Sequence, residues 1–460
     1  MNSASVMPVN ILNLSGLRVL DFKEIEREYH IKAEPVSVAR LCPHCGRSQE
    51  VIGHGKLPLY VRDLPTHGKQ VMIHLDAPRL MCKPCGRTFT ATIPEVDEKR
   101  QMTERLVHWI GRQSLNYTFA TVAEQVGIDE KTVRNVFDEY ATQLKAQHKR
   151  DTPRWMGMDE IYLGRARGVI TNIEDHTLVD MLPDRKKETI IQFLSGLEHR
   201  DRITHVAIDM WRPYREAIQE ALPESIVVVD KYHVIRMGNE SLERVRRSLN
   251  DSLPGKVRIG LKHDRKLLTM REHELNDQLH LIVSGWLRSF PLLKAAYKLK
   301  EEYFKVYDAA NREEALERYT AWEKSIPPEL SHAFKPIPVA WRSWRPYILN
   351  HFDDARLTNA FTESMNAKIR KMYRDGHGYS FEALRAKVLF SDQLQKRARV
   401  QEKVKVKRKR FDEVSDGIMY MSFGRMPAYA QEYDIKTVTK EINLGTDIPT
   451  LLRLIDEGQI

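Results

Sequence analysis

Only four cysteines occur in 460 residues, and none lies beyond Cys85. So sparse and one-sided a supply excludes a disulfide framework and points to a reducing compartment with a local metal site. Long hydrophobic runs are missing too: nowhere do eighteen apolar residues follow one another, so no membrane-spanning helix is expected. The opening MNSASVMPVNILNLSGLRVL has neither a positive leader nor an unbroken apolar core, and does not read as a signal peptide. No internal repeat of solenoid length is present. These absences leave a soluble cytoplasmic protein with room for about three domains as the expectation.

What the chain has in excess is positive charge, and it is concentrated. Lys and Arg number 73 against 63 Asp and Glu, a net charge of +10. Between Asn366 and Arg410 there are fifteen Lys and Arg and four Asp and Glu, a surplus of eleven that exceeds the charge of the whole chain. A solvated helix face would account for such a run in isolation. A polyanionic partner accounts for it better than an acidic small molecule does.

The cysteines fall in two pairs within residues 1–95, where apolar runs alternate with turn residues. CPHCG holds Cys42 and Cys45, CKPCG holds Cys82 and Cys85, and thirty-six residues separate them. Two such knuckles can present four thiolates to one zinc ion, and the glycine after each second cysteine gives the backbone freedom to tighten around it. Four unrelated buried cysteines is the bland alternative, and paired spacing argues against it. His44, His54, His67 and His74 lie nearby as substitutes that a complete set of thiolates does not need. A structural, closed Zn²⁺ site is expected.

Residues 96–150 turn helical. In TFATVAEQVGIDEKTVRNVFDEY, Val122, Ala123 and Val126 make a short apolar face and Gly127 breaks it. A second helix then turns Val133, Val136 and Phe137 inward, which is the pattern of a helix-turn-helix. Lys131, Thr132, Arg134 and Asn135 fall on its outer face, where they can reach base edges or phosphates. An ordinary helical hairpin is the competing reading.

From 151 to 238 the pattern is α/β: strands at WMGMDEIYL, RGVITNIE, TLVDMLP, ITHVAID and SIVVVD, with helices at KETIIQFLSGL and WRPYREAIQEAL. Asp159 sits inside the first strand among apolar neighbours, where a carboxylate needs a partner or a metal. Asp209 closes the fourth. If those strands are adjacent, both aspartates project toward one point. Asp230 closes the next strand with His233 three residues on; it competes with Asp209 and is ranked below it, the two residues serving as an accessory pair. Residues 239–350 read as charged helices, with Leu292, Ala296, Leu299, Tyr303, Val306 and Ala310 forming an apolar seam and Asn311 with Glu314 placed to cap a helix. In the following TNAFTESMNAKIRKMYR, Asn359, Glu363, Asn366, Arg370 and Tyr373 stack along one helical stripe. Glu363 can complete the cluster from this later helix. Three carboxylates in a dry site repel one another, and two Mg²⁺ ions, or Mn²⁺ in their place, relieve that repulsion and support phosphodiester cleavage and strand transfer.

In this order, CPHC, CKPC, the helix-turn-helix, MGMDE, VAIDMWRPY, VVVDKYHVIR and TNAFTESMNAKIRKMYRDGHGY make the chain resemble bacterial DDE transposases of the ISL-three insertion-sequence family, from about residue 40 to 395. The resemblance implies a multidomain α+β protein: a zinc-binding module at 1–95, a helix-turn-helix DNA-binding domain at 96–150, and a ribonuclease H-like α/β core in two parts at 151–238 and 351–410. An all-helical insertion at 239–350 separates the two parts. By motif it assigns catalysis and magnesium to Asp159, Asp209 and Glu363, with Asp230, His233, Asn359 and Asn366 as accessories. The second part of the core, with Lys368, Arg370, Lys371 and Arg374, is expected to run on as a basic helix tracking DNA to residue 410; no role is legible for 411–460. Double-stranded DNA, as terminal inverted repeats and target, a homodimer or larger assembly on it, and a place on the bacterial nucleoid are the implied partners and location. The rivals are a catalytically silent DNA-binding regulator and a nuclease on the same core without strand transfer.

Overall fold

The computed structural model describes residues 12–250, 253–353, 357–392 and 394, and the backbone of 397–410 and 429–442. The chain divides into two compact units, one from the N-terminal part up to Lys149 together with Lys371–Ser391, the other from Arg150–Arg370 and the chain from Asp392 on.

The first unit opens with strands β1 (Leu17–Ile25), β2 (Glu28–Pro35), β3 (Val51–Thr66), β4 (Lys69–Cys82) and β5 (Thr88–Thr90). They form one sheet in the order β1-β2-β4-β3, with β5 also on β4. Alternation builds its core: Val71, Ile73, Leu75 and Ala77 of β4 are buried, with Leu17, Ile31 and Val61 from the neighbouring strands. The β3–β4 hairpin turns on His67 and Gly68, both at positive φ, as a two-residue primed turn requires.

Three helices follow, α1 (Glu104–Asn116), α2 (Phe119–Val126) and α3 (Glu130–Gln147). Thr103, Thr118 and Asp129 cap them by accepting the backbone N–H of Leu106, Thr121 and Thr132. Gly127, at φ 75°, ends α2 in the left-handed conformation that lets α3 start after two further residues. Val122, Ala123, Val126, Val133, Val136 and Phe137 are all buried. This is the expected helix-turn-helix.

The second unit is built on β6 (Trp155–Leu163), β7 (Arg165–Asn172) and β8 (Thr177–Leu182), then α4 (Lys187–Ser195), β9 (His205–Ile208), α5 (Arg212–Ala221) and β10 (Ile226–Val229). The sheet order is β10-β9-β6-β7-β8; β6, β7 and β8 run antiparallel in succession, while β9 lies parallel to both β6 and β10. The first and fourth strands are therefore neighbours. After β10 come α6 (Lys231–Ser248), α7 (Gly255–His263), α8 (Arg265–Thr269), α9 (Asp277–Ser289), α10 (Pro291–Phe304), α11 (Arg312–Lys324), α12 (Pro328–Phe334) and α13 (Pro336–Leu349), with no strand among the described residues between β10 and residue 353. Ala296, Leu299, Tyr303 and Val306 of the expected seam are buried, Leu292 is half-buried and Ala310 is exposed. Tyr303 ties the bundle together, accepting from the Trp341 indole at 3.2 Å and donating to the Val234 carbonyl at 3.3 Å. Asn311 caps α11 through the N–H of Glu314, as its spacing suggests.

Helix α14 (Ala360–Asp375) carries Glu363, and α15 (Phe381–Phe390) follows. The basic helix expected to continue to Arg410 does not: residues 397–410 form strand β11 (Arg397–Arg410), paired antiparallel with β12 (Tyr429–Ile442). The VKVK alternation explains the difference, since a β-branched residue at every second position favours a period of two. Of the tail from 411, only β12 lies among the described residues.

Candidate active site

Asp159 lies mid-strand in β6 and is 7% exposed. Glycine two residues earlier decides what reaches it. A Cβ on Gly157 would run into the side chains of Thr362, Asn359 and Thr171, so only glycine lets the start of α14 settle onto β6. Asn359, buried just before the helix, donates from Nδ2 to the Met158 carbonyl at 3.2 Å and from its backbone N–H to Asp230 Oδ1 at 3.1 Å. Thr362 bonds Thr171 across the strand at 2.6 Å. One turn on, Asn366 donates to Asp159 Oδ2 at 2.8 Å.

This packing places Glu363 beside Asp159. One ligand atom from each of Asp159, His233 and Glu363 lies within 4.8 Å of the others, and His233 Nε2 stands 3.6 Å from Glu363 Oε1. Asp209 does not join that tight set. It follows β9, half-buried, and accepts the Trp211 N–H at 3.2 Å; Asp159 and His233 are close enough to act on it electrostatically. Asp230 is 1% exposed, and its Oδ2 has no hydrogen-bond partner, nor have His233 Nε2 and Asn366 Oδ1.

The electrostatics follow from burial. Desolvation raises the Asp159 carboxyl above its ordinary value, with Asp230 adding to the rise and the Glu160 N–H and His233 opposing it. Burial pushes Asp209 up to about 6, His233 pulling down and Asp159 pushing up. Glu363 is raised by desolvation first and then by Asp230 and Asp159. Carboxyls that disfavour their own charge, next to buried oxygen and nitrogen atoms without partners, are the environment that a divalent cation stabilises.

Some neighbours of the site were not anticipated. Arg185 forms an ion pair with Glu160 and stacks on Trp211, its guanidinium carbon 4.1 Å from the ring centroid. Tyr214, on α5, donates to the Asp159 carbonyl at 3.3 Å. The aromatics of DMWRPY directly after Asp209 were the available signal; nothing in the sequence pointed to Gly157 or Thr362.

The cysteines are brought together as expected. Cys42 Sγ lies 3.7 Å from Cys85 Sγ, and Cys45 Sγ 3.6 Å from Cys82 Sγ. The two knuckles repeat each other: Gly46 and Gly86 both stand at φ 68° and donate to the carbonyls of Cys42 and Cys82 at 2.9 and 2.8 Å. Burial drives the Cys42 thiol up, but the backbone N–H groups of His44 and Cys45 and the neighbouring thiols bring it down to about 7. The Cys85 N–H lowers Cys82, yet burial and the other thiols leave it at about 12. Four sulfurs at this spacing fit one tetrahedral zinc ion, with no histidine in the set.

On α3, Lys131, Arg134 and Asn135 are exposed and Thr132 half-exposed. Arg134 pairs with Glu130, and the Thr132 hydroxyl bonds Asp129, so both are engaged within the helix start. On α14, Arg370, Lys371 and Arg374 are exposed, while Lys368 is half-buried and its ammonium is lowered by desolvation.

Comparison with known proteins matches this arrangement in three consecutive segments. Residues 39–85 match the zinc-finger of transposase IS204/IS1001/IS1096/IS1165, and residues 91–141 match the helix-turn-helix domain of transposase family ISL3. A third family, described as transposase, matches residues 156–388, half of the chain. The chain belongs to the ISL3 family of transposases. Among its relatives are the transposase for insertion sequence element IS1001 of Bordetella parapertussis, 26% identical over 77% of this chain and 88% of its own. The transposase for insertion sequence element IS1557 of Mycobacterium tuberculosis is 26% identical over 75% and 83%. This ISL3 transposase is thus an insertion-sequence enzyme that acts on DNA, with a helix-turn-helix to bind it and a four-cysteine site for structural zinc. No helix among its described residues is long and apolar enough to cross a membrane.

Proposed function

We propose that this transposase cleaves DNA at the ends of its element and joins it to a target with Asp159, Asp209 and Glu363 as the reacting carboxylates. The observation that carries the reading is the seating of α14 on β6 at Gly157, which sets Glu363 beside Asp159 and His233, both far away in sequence. The β10-β9-β6-β7-β8 order supports a ribonuclease H-like core, and the helices α6 to α13 between β10 and α14 support a helical insertion in it.

Asp159, Asp209 and Glu363, with His233 at the edge, would hold Mg²⁺, which when bound supplies charge neutralisation at a phosphate and lowers the pKa of an attacking hydroxyl. The chain's own part is preorganisation. Asn366 fixes the Asp159 carboxylate in one rotamer, and Asp230 holds the backbone N–H of Asn359, so that α14 enters the site at one angle. His233 Nε2 faces Glu363 Oε1 at 3.6 Å. Asp159 and Asp230 are buried while Glu363 is half-buried, so Glu363 is the carboxylate of the three that a phosphodiester would reach first.

For DNA recognition, Lys131 and Asn135 on the exposed face of α3 would read the terminal inverted repeats, with Thr132, Arg134, Lys371 and Arg374 of the same unit, and Lys368 and Arg370 of the second, as candidates for phosphates. A homodimer or larger assembly on DNA is proposed, since an element has two ends to be cut. The test is direct. Purified protein incubated with DNA carrying the element's ends and Mg²⁺ should nick at the ends, and Glu363→Gln should lower the rate by at least about 1,000-fold, the cost of losing a metal-holding carboxylate. A Glu363→Gln protein that cuts as fast as the parent removes Glu363 from the chemistry.

A further inference from the structure

Helices α9 and α10 form a groove with residues of its own, none of them in the carboxylate site. It encloses about 920 Å³, within the roughly 300–1,000 Å³ of ligand-holding clefts. His280, Ser284, Leu287 and Arg288 line it from α9, and Lys294, Tyr297, Lys298, Glu301 and Glu302 from α10. Arg271, Lys305 and Asp308 line it as well.

Pairing shows where the charge is left over. Arg271 is matched by Asp308, at 2.9 Å between Nη1 and Oδ1. Lys305 is matched by Glu302 at 2.7 Å, and Glu301 by the buried Lys300 at 2.6 Å. Glu272 faces His280 at 3.8 Å. Arg288, Lys294 and Lys298 are exposed and have no ion pair or hydrogen bond from their charged ends among the described residues. Arg271, Lys305, Glu301 and Glu302 are thus neutralised within the protein, and three cations of the lining are left without a partner among the described residues.

The same lining holds a second pointer. Tyr297 is 2% exposed, yet its hydroxyl has no hydrogen-bond partner. A buried hydroxyl without a partner costs about 1–3 kcal/mol, a cost that a bound acceptor removes. Desolvation, then Glu301 and Glu272, raise its pKa, so the group keeps its proton and can donate. The ammonium of Lys300, 4.3 Å from the Tyr297 ring centroid, holds the ring in place while donating to the carbonyls of Leu268 and Met270.

We propose that this groove binds the phosphate backbone of duplex DNA, with Arg288, Lys294 and Lys298 neutralising phosphates and the Tyr297 hydroxyl donating to one of them. A second DNA grip outside both the helix-turn-helix and the carboxylate site would hold the duplex during strand transfer, without reading sequence.

The full-length zinc-loaded protein and a duplex carrying the element's end, without added divalent metal, give the test by fluorescence anisotropy over a series of salt concentrations. The Arg288→Ala, Lys294→Ala, Lys298→Ala triple variant should bind about 10-fold or more weaker at moderate salt. The slope of log affinity against log salt should flatten by about 2 to 3, close to 0.9 per lost phosphate contact. A control variant removing the exposed Lys256, Arg258 and Lys262 of α7 takes away the same charge elsewhere in the helical region and should leave the slope nearly unchanged. Tyr297→Phe, which deletes no existing hydrogen bond, should weaken binding about 3-fold or more at constant slope. An unchanged slope in the groove variant, or an equal change in the control, overturns the proposal; release of the duplex by inorganic phosphate at equal phosphate concentration would assign the groove to a small anion instead. Because binding is read without cleavage, failure of the Glu363 reading would not move these curves.

Discussion

Asn366 shows how one side chain can carry a site without touching a substrate. Its Nδ2 is the side-chain donor to a carboxylate that burial already pushes toward neutrality, and its own Oδ1 is left unpartnered at 2% exposure. A hydrogen bond to a charged group contributes about 1.5–3 kcal/mol, which at 1.36 kcal/mol per tenfold in rate corresponds to about 10- to 100-fold. Asn366→Ala should therefore slow single-turnover cleavage by about that factor while DNA affinity stays within twofold. Equal cleavage rates in the two proteins would show that Asp159 holds its position unaided. The helical stripe placing Asn359, Glu363 and Asn366 on one face was legible from spacing alone, because 3.6-residue periodicity is local. That Asn366 addresses Asp159, and Asn359 Asp230, was not, since those partners, one within β6 and one just after β10, lie more than 125 residues away.

Among elements, α15 is the least expected. Its Lys387 is 1% exposed and reaches into the helix-turn-helix, donating to the carbonyls of Ser114 and Tyr117 at the end of α1. The rings of Phe119, Tyr379 and Phe137 surround the ammonium at 4.6, 4.7 and 5.3 Å. Burial pushes Lys387 down to about 7, while the carbonyls and rings hold its proton against that push. The lysine of the unfolded chain titrates near 10.5, so between about 7 and 10.5 the unfolded state binds more protons than the folded one, and stability rises with pH. Below about 7 both states are protonated and the cost of burying the charge is present in full. The first unit should accordingly gain up to about 2 kcal/mol between pH 7 and 8.5, seen as a rising melting temperature, and Lys387→Met should abolish that rise. A parent protein whose melting temperature falls over the same interval would contradict this.

For the whole molecule, the consequence is that the DNA-binding unit is discontinuous. Residues up to Lys149 belong with Lys371–Ser391, which begin in the last turn of the helix bearing Glu363 and run through α15. Leu384, Ala386, Lys387 and Val388 of α15 are all nearly or fully buried within that unit. A fragment ending at Lys149 should melt at least about 10 °C lower than one in which residues 371–391 are rejoined to it by a flexible linker, because it lacks a side of its core. Identical melting of the two fragments would mean that α15 is dispensable to the unit.

Local information was enough for much of this protein. Paired cysteines, the Gly127 turn, the apolar runs of β6 to β10 and the capping residues each act over a few positions, and each element appeared where its pattern placed it. The alternation in VKVK acted just as locally, but the run of charge obscured it and a helix was expected where β11 lies. Tertiary structure alone decided which carboxyls share a site: the absence of a side chain at Gly157 lets α14 settle on β6, so that Glu363 and His233 close on Asp159 while Asp209 stays a step away. It also placed Lys387 inside the helix-turn-helix. Both outcomes depend on steric fit between segments far apart in the chain, and neither has a signature in the spacing of neighbouring residues.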